Sequence, residues 1–201
     1  MQKLPRSFYT RKTVTVAKEL LGKIFVRTLR NKTLSGKIVE TEAYLFNDPA
    51  SHSFRGMTER NKFMFGEGGF LYVYFTYGMH YCSNVVTNKE GIGEAVLIRA
   101  VEPIEGIDVM IKNRFKGKDQ TNLKDGLHLQ NLTNGPAKVA QAFALTTKQS
   151  GTDLNGETIF IKEGDTITRS KIITTTRIGI SAGKEEQRRF YIKNNPWVSK
   201  K

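Results

Sequence analysis

The sequence predicts an α+β fold, with a largely antiparallel β-sheet and several helices in one domain that spans residues 1–201. Three observations lead to this prediction. Short runs rich in β-branched and aromatic residues outnumber the helical segments, and the two kinds do not alternate regularly as they do in a parallel βαβ fold. A length of 201 residues suits a single domain. No internal repeat, low-complexity tract or Pro- or Gly-rich linker divides the chain.

The first elements are a helix and two strands. Residues 14–21 carry apolar side chains at helical spacing, and Gly22 follows them as a C-cap residue. Short β-branched runs at residues 23–27 and 34–44 predict two strands, because such residues suit a pleated sheet. The polar residues 30–32 lie between the strands and predict the turn that joins them.

The middle of the chain combines a long loop with further strands. Residues 47–69 are poor in apolar side chains and rich in turn formers, which predicts a loop. A loop of this length inside a compact domain is usually functional or disordered. Residues 70–87 then predict two strands joined at Tyr77-Gly78, and the apolar residues 95–101 predict a buried strand.

Two more helices are predicted where proline can occupy a first turn. Glu102-Pro103 begins a helix towards residue 112, because proline is tolerated at N1 and an acidic residue suits the first turn. The polar segment 112–131 behind it is expected to be exposed. Pro136 precedes a second helix at residues 137–144, and short strands with glycine turns follow in the remainder.

The charge of the chain indicates a polyanionic partner. Lys and Arg number 32 against 19 Asp and Glu, a formal net charge of +13. Such an excess favours DNA, RNA or an anionic membrane face. The longest apolar run has six residues, 70–75, whereas a transmembrane helix needs about 20.

The cysteine and histidine content argues against disulfides and metal sites. Cys82 is the single cysteine, so no disulfide can form within the chain. The three histidines match no zinc-ligand spacing. The N-terminus has no apolar segment of the secretory type, so we expect a reducing, cytoplasmic location.

The first candidate for chemistry is a pair of carboxylates near an aromatic residue. Glu40, Glu42 and Tyr44 alternate along the predicted strand, so a regular strand places them on one face. One interpretation is acid/base chemistry at an anomeric carbon. The other is a solvated sheet face on which each glutamate pairs with Lys or Arg.

The second candidate is a tyrosine face. Alternation places Tyr72, Tyr74 and Thr76 on one side of their strand, where two rings can stack a nucleobase or form part of the core. Tyr77 at the following turn is either a wedge for a base step or an ordinary surface residue. Two Gly clusters in the chain lack the Gly-Lys-Ser/Thr ending of a phosphate loop and are interpreted as turns.

Two single residues complete the candidates. His52 lies in the long loop, where an isolated histidine is weak evidence and can be a surface imidazole. Arg99 interrupts the apolar run 95–101. A buried arginine needs an anionic partner, and a strand carboxylate such as Glu42 is the natural one.

These residues together resemble the alkyladenine (3-methyladenine) DNA glycosylase family. The resemblance covers most of the chain, with several motifs in the family's order, and is weak only around residues 112–131 and 152–170. The motifs are Val39-Glu40-Thr41-Glu42-Ala43-Tyr44, His52-Ser53, Arg60-Asn61, Met64-Phe65, Leu71-Tyr72-Val73-Tyr74, Tyr77-Gly78-Met79, Arg99-Ala100-Val101-Glu102-Pro103, Gly135-Pro136-Ala137-Lys138, Arg177-Ile178-Gly179 and Pro196-Trp197-Val198-Ser199.

The resemblance implies a monofunctional enzyme of base-excision repair. Such an enzyme has a single mixed domain around a curved antiparallel sheet and uses neither metal nor cofactor. It flips alkylated or deaminated purines out of duplex DNA and hydrolyses the N-glycosidic bond, leaving an abasic site. The implied substrates are 3-methyladenine, 7-methylguanine, hypoxanthine and ethenoadenine. A monomer acting on DNA in the cytoplasm, or at the nucleoid of a bacterium, is the expectation that follows.

The resemblance also assigns catalytic roles. Glu42 resembles the carboxylate that orients and deprotonates the attacking water, and Arg99 resembles the arginine that helps to hold this water. The role of Glu42 agrees with the chemistry of the reaction, because an ionised glutamate stabilises the positive charge that develops on the sugar and accepts a proton. Glu40 and Tyr72 are expected to be neighbours that support the site without contacting the substrate, and the resemblance gives them no role.

The substrate-contacting residues follow in the same way. Tyr44 and Tyr74 resemble the aromatic walls around the flipped base, and His52 completes the pocket at the base edge. Tyr77 resembles the wedge that fills the vacated stack. Asn84 resembles the asparagine that screens the purine 2-position.

Two rival functions are weighed against this one. A non-catalytic nucleic-acid-binding module can present the same basic, tyrosine-bearing surface, and loss of Glu42 would have favoured it. A carbohydrate glycosidase can use Glu40 and Glu42 as its carboxylate pair. The net charge of +13 argues against the glycosidase, because neutral sugars need no such field.

Overall fold

The structure is a computed structural model that describes residues 2–115 and 129–200. The greater part of the segment 112–131, which was predicted to be polar and exposed, therefore lies outside the described residues. Within the described residues, no helix is both long and apolar enough to cross a membrane.

A curled antiparallel sheet of eight strands dominates the described part of the chain, as the sequence predicted. The strand order is β3-β4-β5-β2-β1-β6, and β8 pairs with both β2 and β7. The strands are β1 (Ile24–Leu29), β2 (Lys32–Tyr44), β3 (Leu71–Thr76), β4 (His80–Thr87), β5 (Glu94–Glu105), β6 (Ile159–Lys162), β7 (Ile172–Thr175) and β8 (Arg189–Ile192).

Strand β2 is the centre of this sheet. Its first half pairs with β1, and residues Glu40, Thr41 and Glu42 pair with β8 along the same edge. Strand β5 pairs along the opposite edge, with register irregularities on both sides of Glu40. The two glutamates thus lie where the sheet is paired on both edges, and both are fully buried. The solvated sheet face considered for them is wrong.

Four α-helices pack against the sheet within the described residues. Helix α2 buries Val16 and Ala17 against β2 and β5, and the last helix buries Val139 and Ala140 against β4 and β5. These side chains join the hydrophobic cluster formed by the strands. The helices are α1 (Arg6–Tyr9), α2 (Thr13–Glu19), α3 (Ile107–Arg114) and α4 (Pro136–Ala142).

The helix predicted to begin at Glu102-Pro103 is wrong at its start. Strand β5 continues to Glu105, with Glu102 opposite Lys37 and Pro103 opposite Gly36 in the ladder with β2. Pairing with β2 outweighs the local helix signal here. Gly106, with φ of 74°, ends the strand, and α3 begins at the next residue. A Cβ at this glycine would lie 2.5 Å from the backbone oxygen of Thr33, so the site also needs its missing side chain.

The β3–β4 hairpin has the connection that the sequence predicted. Tyr77 has φ of 51° and Gly78 has φ of 68°, the left-handed pair typical of tight hairpin turns. This turn aims Tyr77 away from the sheet, and 79% of its surface is exposed. Met79, beside it, is 70% exposed.

Candidate active site

A cavity of about 500 Å³ opens beside β3, β4 and β5. The loops at residues 49–52 and 178–181 close its sides. Every site residue predicted from the sequence except Glu42 contributes to its lining: Tyr44, His52, Tyr74, Tyr77, Asn84 and Arg99. Residues that are up to 55 positions apart in the sequence are thus brought to one site.

Glu42 lies buried immediately behind the cavity wall, held by three donors. The Arg99 Nη1 atom lies 3.1 Å from its Oε1 atom, and the backbone N–H of Ile178 donates to the same oxygen over 2.9 Å. The hydroxyl of Tyr44 donates to Oε2 over 2.9 Å. All three donor residues line the cavity. The carboxylate therefore has a fixed orientation, with Oε1 doubly contacted and Oε2 singly contacted.

Arg99 forms the ion pair with Glu42 that the sequence predicted, and a second one that it did not. Its Nε atom lies 3.1 Å from the Oε1 atom of Glu40. Burial acts to lower the pKa of Arg99, but the negative charges of Glu42 and Glu40 outweigh it and raise the pKa. The guanidinium is therefore charged at all physiological pH values and bridges the two carboxylates.

Aromatic rings form one end of the cavity. Tyr72 and Tyr74 lie on the same face of β3, as alternation predicted, with ring centroids 5.7 Å apart. The imidazole of His52 meets Tyr74 edge-on, at a centroid distance of 4.3 Å. Tyr44 is packed separately, with the guanidinium of Arg177 4.7 Å above its ring.

The three tyrosines of the site are held as neutral phenols. Burial raises the pKa of Tyr44, and the neighbouring Glu42 raises it further. Burial also raises the pKa of Tyr74, with further contributions from Cys82 and Tyr72. For Tyr72, burial raises the pKa to about 12, against a smaller opposing effect of Arg60. Each hydroxyl therefore keeps its proton and can donate a hydrogen bond.

His52 is neutral at physiological pH. Burial on its packed side, assisted by the positive charge of Arg60, lowers its pKa to about 4. Its Nδ1 atom lies 3.0 Å from the hydroxyl of Tyr72. The backbone carbonyl of His52 accepts from the amide of Asn61, which thereby holds this part of the loop. His52 is therefore a fixed member of the cavity, although its other side remains exposed.

Asn84 lies on β4 directly opposite Tyr72 on β3. Its side-chain nitrogen donates to the backbone carbonyl of Tyr72 over 3.1 Å, and the residue is almost completely buried. The side chain of Asn84 is therefore tied to the neighbouring strand rather than to its own turn.

A charged clamp that was not predicted from the sequence lies directly before the two loops of the lining, residues 49–52 and 178–181. Asp48 and Arg177 are both fully buried and form a bidentate ion pair, in which Nη2 donates to Oδ1 over 2.9 Å. Arg188 adds a contact of 3.0 Å to the same carboxylate. Arg177 also donates to the carbonyl of Ala43, and the next residue, Ile178, supplies its N–H to Glu42.

Little in the sequence indicates this clamp. Arg177-Ile178-Gly179 was recognised as a motif without a role, because a backbone donor carries no side-chain signature. Asp48 had no distinguishing pattern at all within the long loop. Its pairing with Arg177 joins positions 129 residues apart, which no local pattern can encode.

Among the residues that the structure describes, no group of three His, Cys, Asp or Glu side chains is placed to hold a metal ion. The acidic side chains of the site instead face arginines. Its chemistry is that of an oriented carboxylate, an arginine and a ring-lined cavity.

Comparisons with known proteins point in one direction. A family model described as "Methylpurine-DNA glycosylase (MPG)" matches residues 7–196. A protein of Carboxydothermus hydrogenoformans is 52% identical over 199 residues, covering 98% of this chain and 99% of the relative. One from Francisella tularensis subsp. tularensis is 51% identical over 193 residues, covering 94% and 95%. A third, from Clostridium acetobutylicum, is 47% identical over 204 residues, covering 98% and 97%. All three are named "Putative 3-methyladenine DNA glycosylase".

Proposed function

The chain belongs to the methylpurine-DNA glycosylase family, and from this premise we propose that it excises alkylated and deaminated purines from duplex DNA by a Glu42-activated water. The proposed substrates are 3-methyladenine, 7-methylguanine, hypoxanthine and ethenoadenine. The observation that carries the proposal is the carboxylate of Glu42, fixed by three donors directly behind a cavity large enough for a purine.

The hydrogen bonds of Glu42 support a choice between its two oxygens as the proposed base. A carboxylate oxygen has about two acceptor positions. Oε1 already receives Arg99 and the N–H of Ile178, whereas Oε2 receives only the hydroxyl of Tyr44 among its assigned contacts. Oε2 is therefore the oxygen to which the attacking water gives its proton.

The proposed reaction depends on the positive charge that develops on the deoxyribose. The bond between C1′ and the purine nitrogen breaks, its electron pair leaves with the base, and positive charge develops on the deoxyribose. The ionised Glu42 stabilises that charge while water adds its oxygen to C1′. Arg99 remains charged and holds both the carboxylate and the water in place. The products are a free base and an abasic site.

The rings support the proposed preference for damaged purines. An alkylated purine carries positive charge, and the electron-rich faces of Tyr44 and Tyr74 attract a cation. A neutral His52 adds a hydrogen-bonding edge without repelling a positively charged base. Asn84, held to β3 by its bond to Tyr72, screens the purine 2-position. A damaged base also leaves its stack at lower cost, which adds selectivity before the chemical step.

The hairpin tip and the net charge account for DNA engagement. Tyr77 projects beside the cavity mouth, where an aromatic ring can fill the gap left by a flipped nucleotide. The formal charge of +13 provides attraction to phosphates that does not depend on the lesion. We further propose that the protein acts as a monomer, on DNA of the cytoplasm or nucleoid.

The test is incubation of the purified protein with duplexes that contain one hypoxanthine or one 3-methyladenine. Alkali then cleaves any abasic site. We expect release of both bases in EDTA, and no covalent capture by borohydride, because water rather than a lysine is the nucleophile. An intact strand with both lesions, despite tight DNA binding, would instead establish a non-catalytic binding module.

A further inference from the structure

Glu40 has no role in the reaction described so far, although it is fully buried two residues before Glu42. Both of its oxygens are occupied. Oε1 accepts from Arg99 Nε over 3.1 Å, from Arg189 Nε over 2.8 Å and from the hydroxyl of Ser199 over 3.0 Å. Oε2 accepts from the backbone N–H of Ser199 over 2.7 Å. These partners come from β5, β8 and the segment that follows β8.

Two carboxylates and two guanidiniums thus share one buried cluster of zero net charge: Glu40, Glu42, Arg99 and Arg189. Arg99 is the member that touches both carboxylates and also lines the cavity. Buried ion pairs of this kind are not in general needed for stability, because hydrophobic residues of similar size can replace them without loss. The role of this cluster is therefore to be found in its effect on Arg99 rather than in stability.

The contact of Glu40 with Arg99 fixes the orientation of the planar Arg99 guanidinium. A guanidinium that is held at Nε by one carboxylate and at Nη1 by another cannot rotate about its long side chain. Its Nη1 atom is then kept on Glu42. Glu40 is also a second negative charge, so Arg99 divides its attraction between two anions instead of neutralising Glu42 alone.

We propose that Glu40 is a positioning residue of the glycosylase reaction, which keeps Arg99 aligned on Glu42 and preserves the negative potential of that carboxylate. This inference rests on the proposed function. Glu40 itself does not touch the substrate. Ser199 and Arg189 hold Glu40 in turn, and neither of them lines the cavity. Arg189 in turn donates to the backbone carbonyl of Lys200, which ties the end of the described chain to the same cluster.

The test substitutes Glu40→Gln, which keeps the shape of the side chain and removes its charge. Single-turnover excision of hypoxanthine is measured with enzyme in excess, together with binding to an ethenoadenine duplex. We expect the rate constant to fall roughly 10- to 100-fold, as for a small misalignment at a reacting centre, with little change in DNA affinity. The acid limb of the pH–rate profile should also move to lower pH, because one negative charge near the base is gone.

Glu94→Gln provides the matched control. Like Glu40, Glu94 is a buried carboxylate, but it lies on β5. Its partners include the side chains of Thr13 and Asn88 rather than a residue of the cavity. We expect Glu94→Gln to keep the wild-type rate constant and pH profile, even if its melting temperature falls. A rate constant and pH profile of Glu40→Gln that match those of Glu94→Gln would overturn the inference, because Glu40 would then be structural.

Two further variants keep the test informative if Glu40→Gln does not fold. The double variant Glu40→Gln/Arg189→Gln removes one charge of each sign and leaves no unpaired buried arginine. Ser199→Ala removes a hydroxyl at a half-buried position that donates to Glu40 and also accepts, over 3.5 Å, from the Nη2 atom of Arg99. We expect the double variant to retain the fall in rate constant, and Ser199→Ala to show a fall of a few-fold. Wild-type values in both would refute the inference.

The failures of the two proposals are distinguishable. If the wild-type protein releases neither hypoxanthine nor 3-methyladenine, the proposed function fails. If the wild type is active and Glu40→Gln has the same rate constant and pH profile, the function stands and the role of Glu40 alone is rejected.

Discussion

The wall behind the cavity and the tip of the β3–β4 hairpin hold their functional side chains in opposite ways. Glu42 is fully buried, and three donors from three parts of the chain fix its carboxylate. Tyr77 is 79% exposed in the three-residue connection between β3 and β4. The two sites nevertheless border the same cavity, since Tyr77 lines its mouth.

The difference follows from when each group meets its partner. A group that stabilises developing charge gains most from donors already in place, because no reorganisation is then needed during the reaction. A wedge has no partner until DNA is bound, so its apolar surface remains exposed before that. We therefore expect substitutions behind the cavity to lower the rate of the chemical step, and substitutions at the tip to weaken recognition of the lesion.

Glu42→Gln should give the largest effect. The amide keeps the shape of the side chain but cannot take a proton from water, and a general base contributes about 10²- to 10⁴-fold to a rate. We expect a loss of excision in this range with nearly unchanged DNA binding. Single-turnover release of hypoxanthine and a binding titration measure the two quantities. Release at a near wild-type rate would remove Glu42 from the mechanism.

Tyr77→Ala should weaken recognition of the lesion rather than the chemical step. A stacked aromatic side chain contributes roughly 1–3 kcal/mol per base, so we expect about a ten-fold or greater loss of the flipped-out state. Fluorescence of an ethenoadenine duplex reports that equilibrium. Tyr77→Phe, which keeps a ring, is the control and should remain close to wild type. An unchanged flipping equilibrium in Tyr77→Ala would contradict the assignment of the wedge.

The sequence predicted those contacts of the site that follow local or general rules, and it did not predict those that depend on how distant strands pair. Tyr72 and Tyr74 share a face because side chains alternate along any strand, and Arg99 pairs with Glu42 because a buried arginine needs an anion. Both rules are local or general. The contact of Ser199 with Glu40 joins positions 159 residues apart, and it depends on how β8 returns to β2.

Pairing between strands also explains the error at Glu102-Pro103. A proline and an acidic residue are favourable in the first turn of a helix, and the sequence carries no sign that β2 lies alongside. In the structure, Glu102 lies opposite Lys37, and their side chains form an ion pair of 3.2 Å. Local preference therefore located a helix in the right region and placed its start too early.

Asn84→Ser should have a modest effect, confined to the specificity of the pocket. Guanine has an exocyclic amine at the 2-position, whereas adenine and hypoxanthine do not. A serine is smaller and can accept a hydrogen bond from that amine, so discrimination should relax by about ten-fold or less, within the ~1–3 kcal/mol that shape usually provides. The measurement is release of 7-methylguanine relative to hypoxanthine. An unchanged ratio in a folded, active variant would make Asn84 structural.

His52 should give the smallest effect, because its outer side is exposed and solvent screens its charge. Burial of its packed side and the charge of Arg60 lower its pKa to about 4, against an ordinary value of about 6.5. Since the folded-state pKa is depressed, the stabilising contribution of a neutral His52 is present above about pH 6.5 and is lost as the pH falls towards 4. We expect the imidazole resonances of His52, identified by their loss in His52→Asn, to titrate well below pH 6.5. Arg60→Gln should raise that midpoint, and wild type should lose slightly more stability than His52→Asn between pH 6.5 and 4. A midpoint of 6.5 or higher in the wild type would show that the packed rings do not hold His52 neutral, and its role at the base edge would have to be that of a cation.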